Sequence, residues 1–198
     1  MKLSGLSAVL LLLSPPCVLS QTPSIRSIDF ANFTYPSAPH LPTNRRKPTF
    51  TFHHGELTPE RNKSGRITNW LVLGWVHYLD VTGDGVDDAV ADIVWHTGGS
   101  AQPDLIYIYT MHQGRPKLLW TFQTGDRADG GLKDIRSENG HLVLELYGKD
   151  KILGRNLYKD DGTNKGLCCP TIFTRTRYVW SGHRFRRVGN AERLRLET

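Results

Sequence analysis

The chain has 198 residues, a formal net charge of +6 and only three cysteines. That length suits one domain able to bury a full core without metal or disulfide staples. The cysteine count excludes a disulfide-scaffold mini-protein and a four-cysteine zinc site. The charge is too modest to name a partner, and with no nucleic-acid motif beside it nucleic acid is not expected.

Residues 1–20 read as a cleaved signal peptide. Lys2 supplies the basic n-region, residues 6–13 a short apolar core, and Val18-Leu19-Ser20 the residues before a cut at Gln21. The apolar run is broken by Pro15-Pro16, well short of the about 20 residues that span a bilayer, and no later stretch is long and uncharged enough. A lipoprotein signal at Cys17 is disfavoured, because Pro16 stands where a small residue belongs. The expectation is a secreted or periplasmic protein with no membrane span in the mature chain.

Residues 21–48 hold Pro23, Pro36, Pro39, Pro42 and Pro48 and the basic run Arg45-Arg46-Lys47. Proline removes ladder donors and restricts its predecessor, so this stretch reads as an extended arm, with one edge strand through Ile25, Ile28, Phe30, Phe33 and Tyr35. Residues 49–198 then form a single domain of short β-rich runs. These cover 49–56, 70–79, 89–96, 104–111, 117–123, 141–147, 171–180 and 183–188. Leu118, Trp120 and Phe122 alternate along one run, Leu142, Leu144 and Leu146 along another, and Leu73, Trp75 and His77 share one face of a third. Turn signals separate the runs: Gly83-Asp84-Gly85, Gly98-Gly99-Ser100, Gln113-Gly114, Ser181-Gly182, and above all Asn139-Gly140, which supplies the positive φ angles of a tight hairpin. Helix is confined to a turn or two over 59–66 and one over 191–196. The predicted fold is mostly β, an antiparallel meander forming a sandwich, barrel or propeller-like sheet; no repeat of about 40 residues supports a full propeller.

Asp80-Val81-Thr82-Gly83-Asp84-Gly85-Val86-Asp87-Asp88 carries the most specific signal. Calcium takes six or more oxygens, several of them carboxylates. Asp80, Thr82 and Asp84 fall at positions one, three and five of a wrapping loop. Gly85 takes the sharp turn at six, the Val86 carbonyl position seven, and Asp88 position nine. Position twelve is Ala91 and the flanks are β-like, so this is no EF-hand. The alternative is a solvated acidic turn, although four aspartates within nine residues repel one another. The loop resembles the Asp-x-(Asp/Asn/Thr)-Gly-Asp-Gly-x-x-Asp loops of FG-GAP and VCBS-type repeats. That resemblance implies a structural calcium, weakened here by the neutral Thr82. Together with Gly98-Gly99-Ser100, Lys117-Leu118-Leu119-Trp120, the 124–131 stretch and Cys168-Cys169-Pro170, the order also resembles a group of uncharacterised secreted bacterial β-domain proteins, which implies export and a shared fold but no activity.

Thr124–Gly131 packs acids, a base and glycines into eight residues. Asp126 and Asp129 offer a carboxylate pair, with Arg127 to hold an anionic or sugar substrate, as glycan hydrolysis requires; a glycine-rich turn tied down by Asx bonds accounts for the same composition. Cys168-Cys169 lie closer than an ordinary disulfide span, so a bridge between them is a strained vicinal ring with a structural role; free thiols or a dimer link are the alternatives. His96, Ser100 and a nearby Asp assemble a triad only on paper, since no nucleophile-elbow or zincin motif appears. Arg175, Arg177, Arg184 and Arg186 bring guanidiniums to one hairpin, suited to an anion or simply to a charged strand edge that resists aggregation. The reading is an exported, non-catalytic β domain with a calcium-stabilised loop, binding a polysaccharide or protein at the cell envelope. The alternative is a hydrolase of envelope glycans using Asp126 and Asp129.

Overall fold

Among the described residues eleven strands form, most of them where branched and aromatic residues alternate with polar ones. A computed structural model describes residues 23–37, 48–126, 130–148, 152 and 170–196. The strands are β1 (Thr34–Pro36), β2 (Thr49–Thr51), β3 (Glu60–Arg61), β4 (Ile67–Leu79), β5 (Asp88–His96), β6 (Asp104–His112), β7 (Arg115–Gln123), β8 (Leu132–Glu138), β9 (His141–Tyr147), β10 (Ile172–Trp180) and β11 (Phe185–Arg195). All strand pairs are antiparallel. A five-stranded sheet runs β3-β4-β5-β6-β7, a four-stranded sheet β11-β10-β9-β8, and β1 pairs with β2 alone. The fold is thus mostly β and antiparallel, with its two larger sheets packed face to face. Residues 1–20, where a signal peptide is expected, with Cys17, the basic run 45–47, Arg127, Asp129, Cys168 and Cys169 lie outside the described residues.

Two cores result, one on each face of the five-stranded sheet. Ile25, Phe30, Tyr35, Phe50 and Phe52 pack on Leu71, Ala89, Ala91, Ile93, Leu105, Tyr107 and Tyr109. On the opposite face Val90, Ile106, Ile108 and Phe122 meet Ile135, Leu142, Leu144, Leu146 and Tyr178 of the four-stranded sheet. The order is N-terminal layer, five-stranded sheet, four-stranded sheet.

Several local expectations are corrected. Residues 25–35 do not form one strand: two short 3-10 turns, Ile25–Ser27 and Phe30–Asn32, precede β1. Ser24 and Asp29 cap them, Ser24 accepting from the Arg26 amide and Asp29 from those of Ala31 and Asn32. The helical turns expected at 59–66 and 191–196 are absent. Asn62 Oδ1 accepts from the amides of Ser64 and Arg66 and closes a turn after β3, while residues 191–195 continue β11 against β10. Two bulges also break the alternation. Leu73 pairs with Ile93 but Trp75 with Asp92, so Gly74 is extra; Leu73 therefore faces the first core while Trp75 faces the second, with His77 in its register. Ile108 pairs with Trp120 and Tyr109 with Leu118, so Leu119 is extra and Leu118 parts from Trp120 and Phe122 in the same way.

Candidate functional site

The 80–88 loop joins β4 to β5, and its carboxylates bind its own backbone. Asp80 Oδ1 accepts from the amides of Gly83 at 2.6 Å and Asp84 at 3.2 Å, and its Oδ2 from Gly85 at 2.9 Å. Asp84 Oδ1 accepts from the Val86 amide at 2.9 Å. Asp88, fully buried, accepts through Oδ2 from the amides of Val81 and Thr82, both at 3.1 Å. Burial raises the pKa of Asp88, more than the nearby Thr110 and Thr82 hydroxyls and the two amides lower it. Asp88 Oδ1 and Thr82 Oγ1 nevertheless have no hydrogen-bond partner among the described residues.

The loop is also docked on both sides. Val81 is buried in the second core. The Asp80 carbonyl accepts a very short bond from Ser137 Oγ on β8. A Cβ on Gly83 would lie 3.2 Å from the Gly140 carbonyl oxygen, so the loop rests on the Asn139-Gly140 hairpin turn, glycine against glycine. Arg26 of the N-terminal layer reaches Asp87 at 2.6 Å.

All the donors are oxygens, as calcium requires, and the two unsatisfied ones belong to positions three and nine of the predicted ligand set. Among the described residues, however, no three His, Cys, Asp or Glu side chains converge. An ion here would be held by Asp80, Asp84 and Asp88 only with Thr82 Oγ1 and the Val86 carbonyl completing the set.

A second constellation carries no sequence motif. Asp92 on β5 and Asp104 on β6 are diagonal neighbours on the face turned toward the four-stranded sheet, since Asp92 pairs with Ile106 and Asp104 with Val94. Asp92 is 4% exposed, and its Oδ1 has no hydrogen-bond partner among the described residues. The bulge at Gly74 makes room for it: a Cβ there would sit 2.7 Å from Asp92 Oδ2. Burial, then the nearby Asp104 charge, pushes the Asp92 pKa up to about 8. Burial raises Asp104 to about 6 against the Leu132 amide and the Thr124 hydroxyl, which favour its ionised form. Periodicity reads both as the polar members of half-buried strands; the signal that marks Asp92 is the glycine across the ladder.

On the same face β4 presents two half-buried tryptophans. Trp70 stacks on His96 with ring centroids 5.0 Å apart, and Trp75 stacks on exposed His77 at 4.2 Å. Gly74 between them is exposed.

Asp126 forms a bridge with Gly130, beside a segment whose Leu132 amide faces Asp104. His96 Nδ1 lies 3.2 Å from Gln102 Nε2. Arg175 and Arg177 belong to an ion-pair lattice on the outer face of the four-stranded sheet. At its centre Glu145, 2% exposed, meets Lys133 at 2.5 Å, Arg175 at 2.7 Å and Arg136 at 3.0 Å. Arg136 also pairs with Asp134 and Glu138, and Arg177 with Glu192 and Glu138. Arg184 and Arg186 are exposed at the β10–β11 hairpin and take no part in that lattice.

No protein-family profile matches the chain, and neither a curated protein nor a solved structure matches it significantly.

Proposed function

We propose that the chain is an exported, non-catalytic β domain that works by binding, and that it holds a polysaccharide on the Trp70–Trp75 face of β4. The observation carrying this reading is the pair of ring stacks, Trp70 on His96 and Trp75 on His77. Stacking on histidine holds each indole in place, and a rigid, half-exposed ring offers an apolar plane to the C–H face of a sugar at small entropic cost. One bulge lies between the tryptophans, which puts them roughly 15 Å apart at normal strand rise, a span suited to an oligosaccharide rather than a single ring. The 80–88 loop supports the face as a structural element, with calcium proposed as its clamp.

A catalytic reading draws on one different observation. Asp92 and Asp104 lie on the same face, with pKa values pushed up to about 8 and about 6, and a carboxylic acid kept protonated near neutrality is what glycoside cleavage needs. This pair supports a hydrolase independently of Asp126 and Asp129, the second of which lies outside the described residues.

The test is retention of the purified mature protein on a panel of immobilised glycans, with reducing ends assayed in parallel. Binding weakened at least tenfold by Trp70→Ala/Trp75→Ala, without new reducing ends, is the expected outcome. Reducing ends that vanish in Asp92→Asn establish the hydrolase instead. Wild-type protein that is retained by no glycan and releases no reducing ends overturns both.

A further inference from the structure

The guanidiniums of the last two strands fall into two populations. Arg175 and Arg177 face Glu145, Glu192 and Glu138 and are neutralised. Arg184, Arg186 and Arg187 are exposed and form no ion pair among the described residues. These three cations sit at the start of β11, one of the two edge strands of its sheet among the described residues.

Their placement on the strand distinguishes among anionic partners. Arg186 pairs with Val179 and Arg187 with Tyr178, so consecutive side chains project to opposite faces of the sheet. Arg184 sits in the turn, where its carbonyl accepts from the Ser181 amide and hydroxyl and closes the hairpin. Half-buried Trp180 and Phe185 pack together at the same end with centroids 5.0 Å apart, and Phe185 stacks on Trp120 of β7. A membrane laid against one face of the sheet meets the guanidiniums of that face alone. A linear chain lying along the strand edge reaches both.

We propose that the exposed end of β11 binds a linear polyanionic polysaccharide, with Arg184, Arg186 and Arg187 pairing to its carboxylate, sulfate or phosphate groups and the Trp180–Phe185 rings flanking it. Guanidinium forks suit such oxyanions, which accept two parallel N–H bonds. The surface is separate from the β4 face and does not depend on the reading of Trp70 and Trp75. A charged edge that merely blocks strand addition accounts for the same residues without any ligand, and the experiment decides between them.

The probes are polygalacturonate and heparin, with dextran as the neutral control and phosphatidylglycerol vesicles as the planar one, at two salt concentrations. The full mature chain is expected to bind the two polyanions, more weakly at high salt, and not dextran. Arg186→Gln and Arg187→Gln are each expected to weaken binding several-fold, and the double variant at least tenfold, with an unchanged melting midpoint. Lys63→Gln/Arg115→Gln removes the same net charge elsewhere and is expected to change affinity less than twofold. Equal loss in both double variants reduces the effect to net charge and overturns the site. Binding to vesicles that only one of the two single variants weakens assigns the surface to a membrane instead. No binding to either polyanion leaves the arginines as edge protection and also overturns it.

Discussion

Asp92 and Glu145 are buried carboxylates on different sheets whose neighbours push them in opposite directions. Burial raises Glu145, but the hydrogen bonds from Lys133, Arg175 and Arg136 outweigh it and hold the group at about 2 against an ordinary 4.5. A depressed folded pKa gives stability that is present above the unfolded value and lost as pH falls toward the folded one, on the order of 3 kcal/mol here. Asp92 has burial and the Asp104 charge against ionisation and nothing to offset them. Its folded form keeps a proton that the unfolded form has released, so between the ordinary 3.8 and about 8 stability falls as pH rises. Urea unfolding of wild type, Asp92→Asn and Glu145→Gln from pH 3 to 9 separates the two. Asp92→Asn is expected to flatten the decline above pH 4 and to be more stable than wild type at pH 8. Glu145→Gln is expected to cost about 3 kcal/mol at pH 7, because three cations lose their shared carboxylate, and the difference is expected to shrink toward pH 3. A wild-type slope unchanged in Asp92→Asn removes that residue from the pH dependence.

At the scale of elements, the Asn139-Gly140 hairpin shows how one dipeptide fixes register and position together. Asn139 and Gly140 have φ angles of 52° and 73°, which set the β8–β9 pairing. Gly140 is also where the acidic loop lands, since a Cβ on it would lie 3.1 Å from Gly83 Cα. Gly85 has a similar φ of 83° but open space around it. Gly140→Ala therefore meets both backbone strain and a backbone clash, whereas Gly85→Ala meets only the strain. The expected losses are about 1 kcal/mol for Gly85→Ala and about 3 kcal/mol for Gly140→Ala, read by thermal unfolding; equal losses would mean that the loop and the hairpin are not docked. This turn was legible because its φ requirement is local. So were the strands 104–111 and 141–147, through their dense branched and aromatic content. β8 was not, because Lys133, Asp134, Arg136 and Glu138 make it look like a polar connector; only the cations converging on Glu145 from β8 and β10 explain why charge belongs there. The bulges at Gly74 and Leu119 were equally hidden, since each inserts one residue whose effect is visible only against the partner strand. The candidate site suffered most: the faces of Trp70, Trp75 and Asp92 agree only after the Gly74 bulge is counted.

For the whole molecule, the acidic loop is a connection that touches every layer. Arg26 ties Asp87 to the N-terminal layer, Val81 enters the core between the larger sheets, and Ser137 and Gly140 hold the loop to the four-stranded sheet. These contacts are unequal. The Arg26–Asp87 pair is 57% and 39% exposed, so screening leaves it worth less than about 1 kcal/mol, while the buried Val81 contributes about 2 kcal/mol. Asp80, Asp84 and Asp88 together capture six loop amide contacts, which shapes the loop but concentrates charge that an ion would neutralise. Thermal unfolding in excess EDTA, then in millimolar calcium, for wild type and Asp84→Ala decides whether one does. A ligand bound only by the folded state at one hundred times its Kd adds about 2.7 kcal/mol, a rise of about 5–10 °C for a domain of this size. The expected result is that rise in wild type and none in Asp84→Ala, whose midpoint in EDTA lies close to that of wild type. Because the loop binds all three layers, the rise should appear as one cooperative transition shifted whole, by near-ultraviolet dichroism and tryptophan fluorescence alike. A shift in one probe alone would confine the ion to the loop. Coincident traces in EDTA and calcium would show that the loop holds the layers through its own amides, and that its resemblance to calcium-binding repeats ends at the sequence.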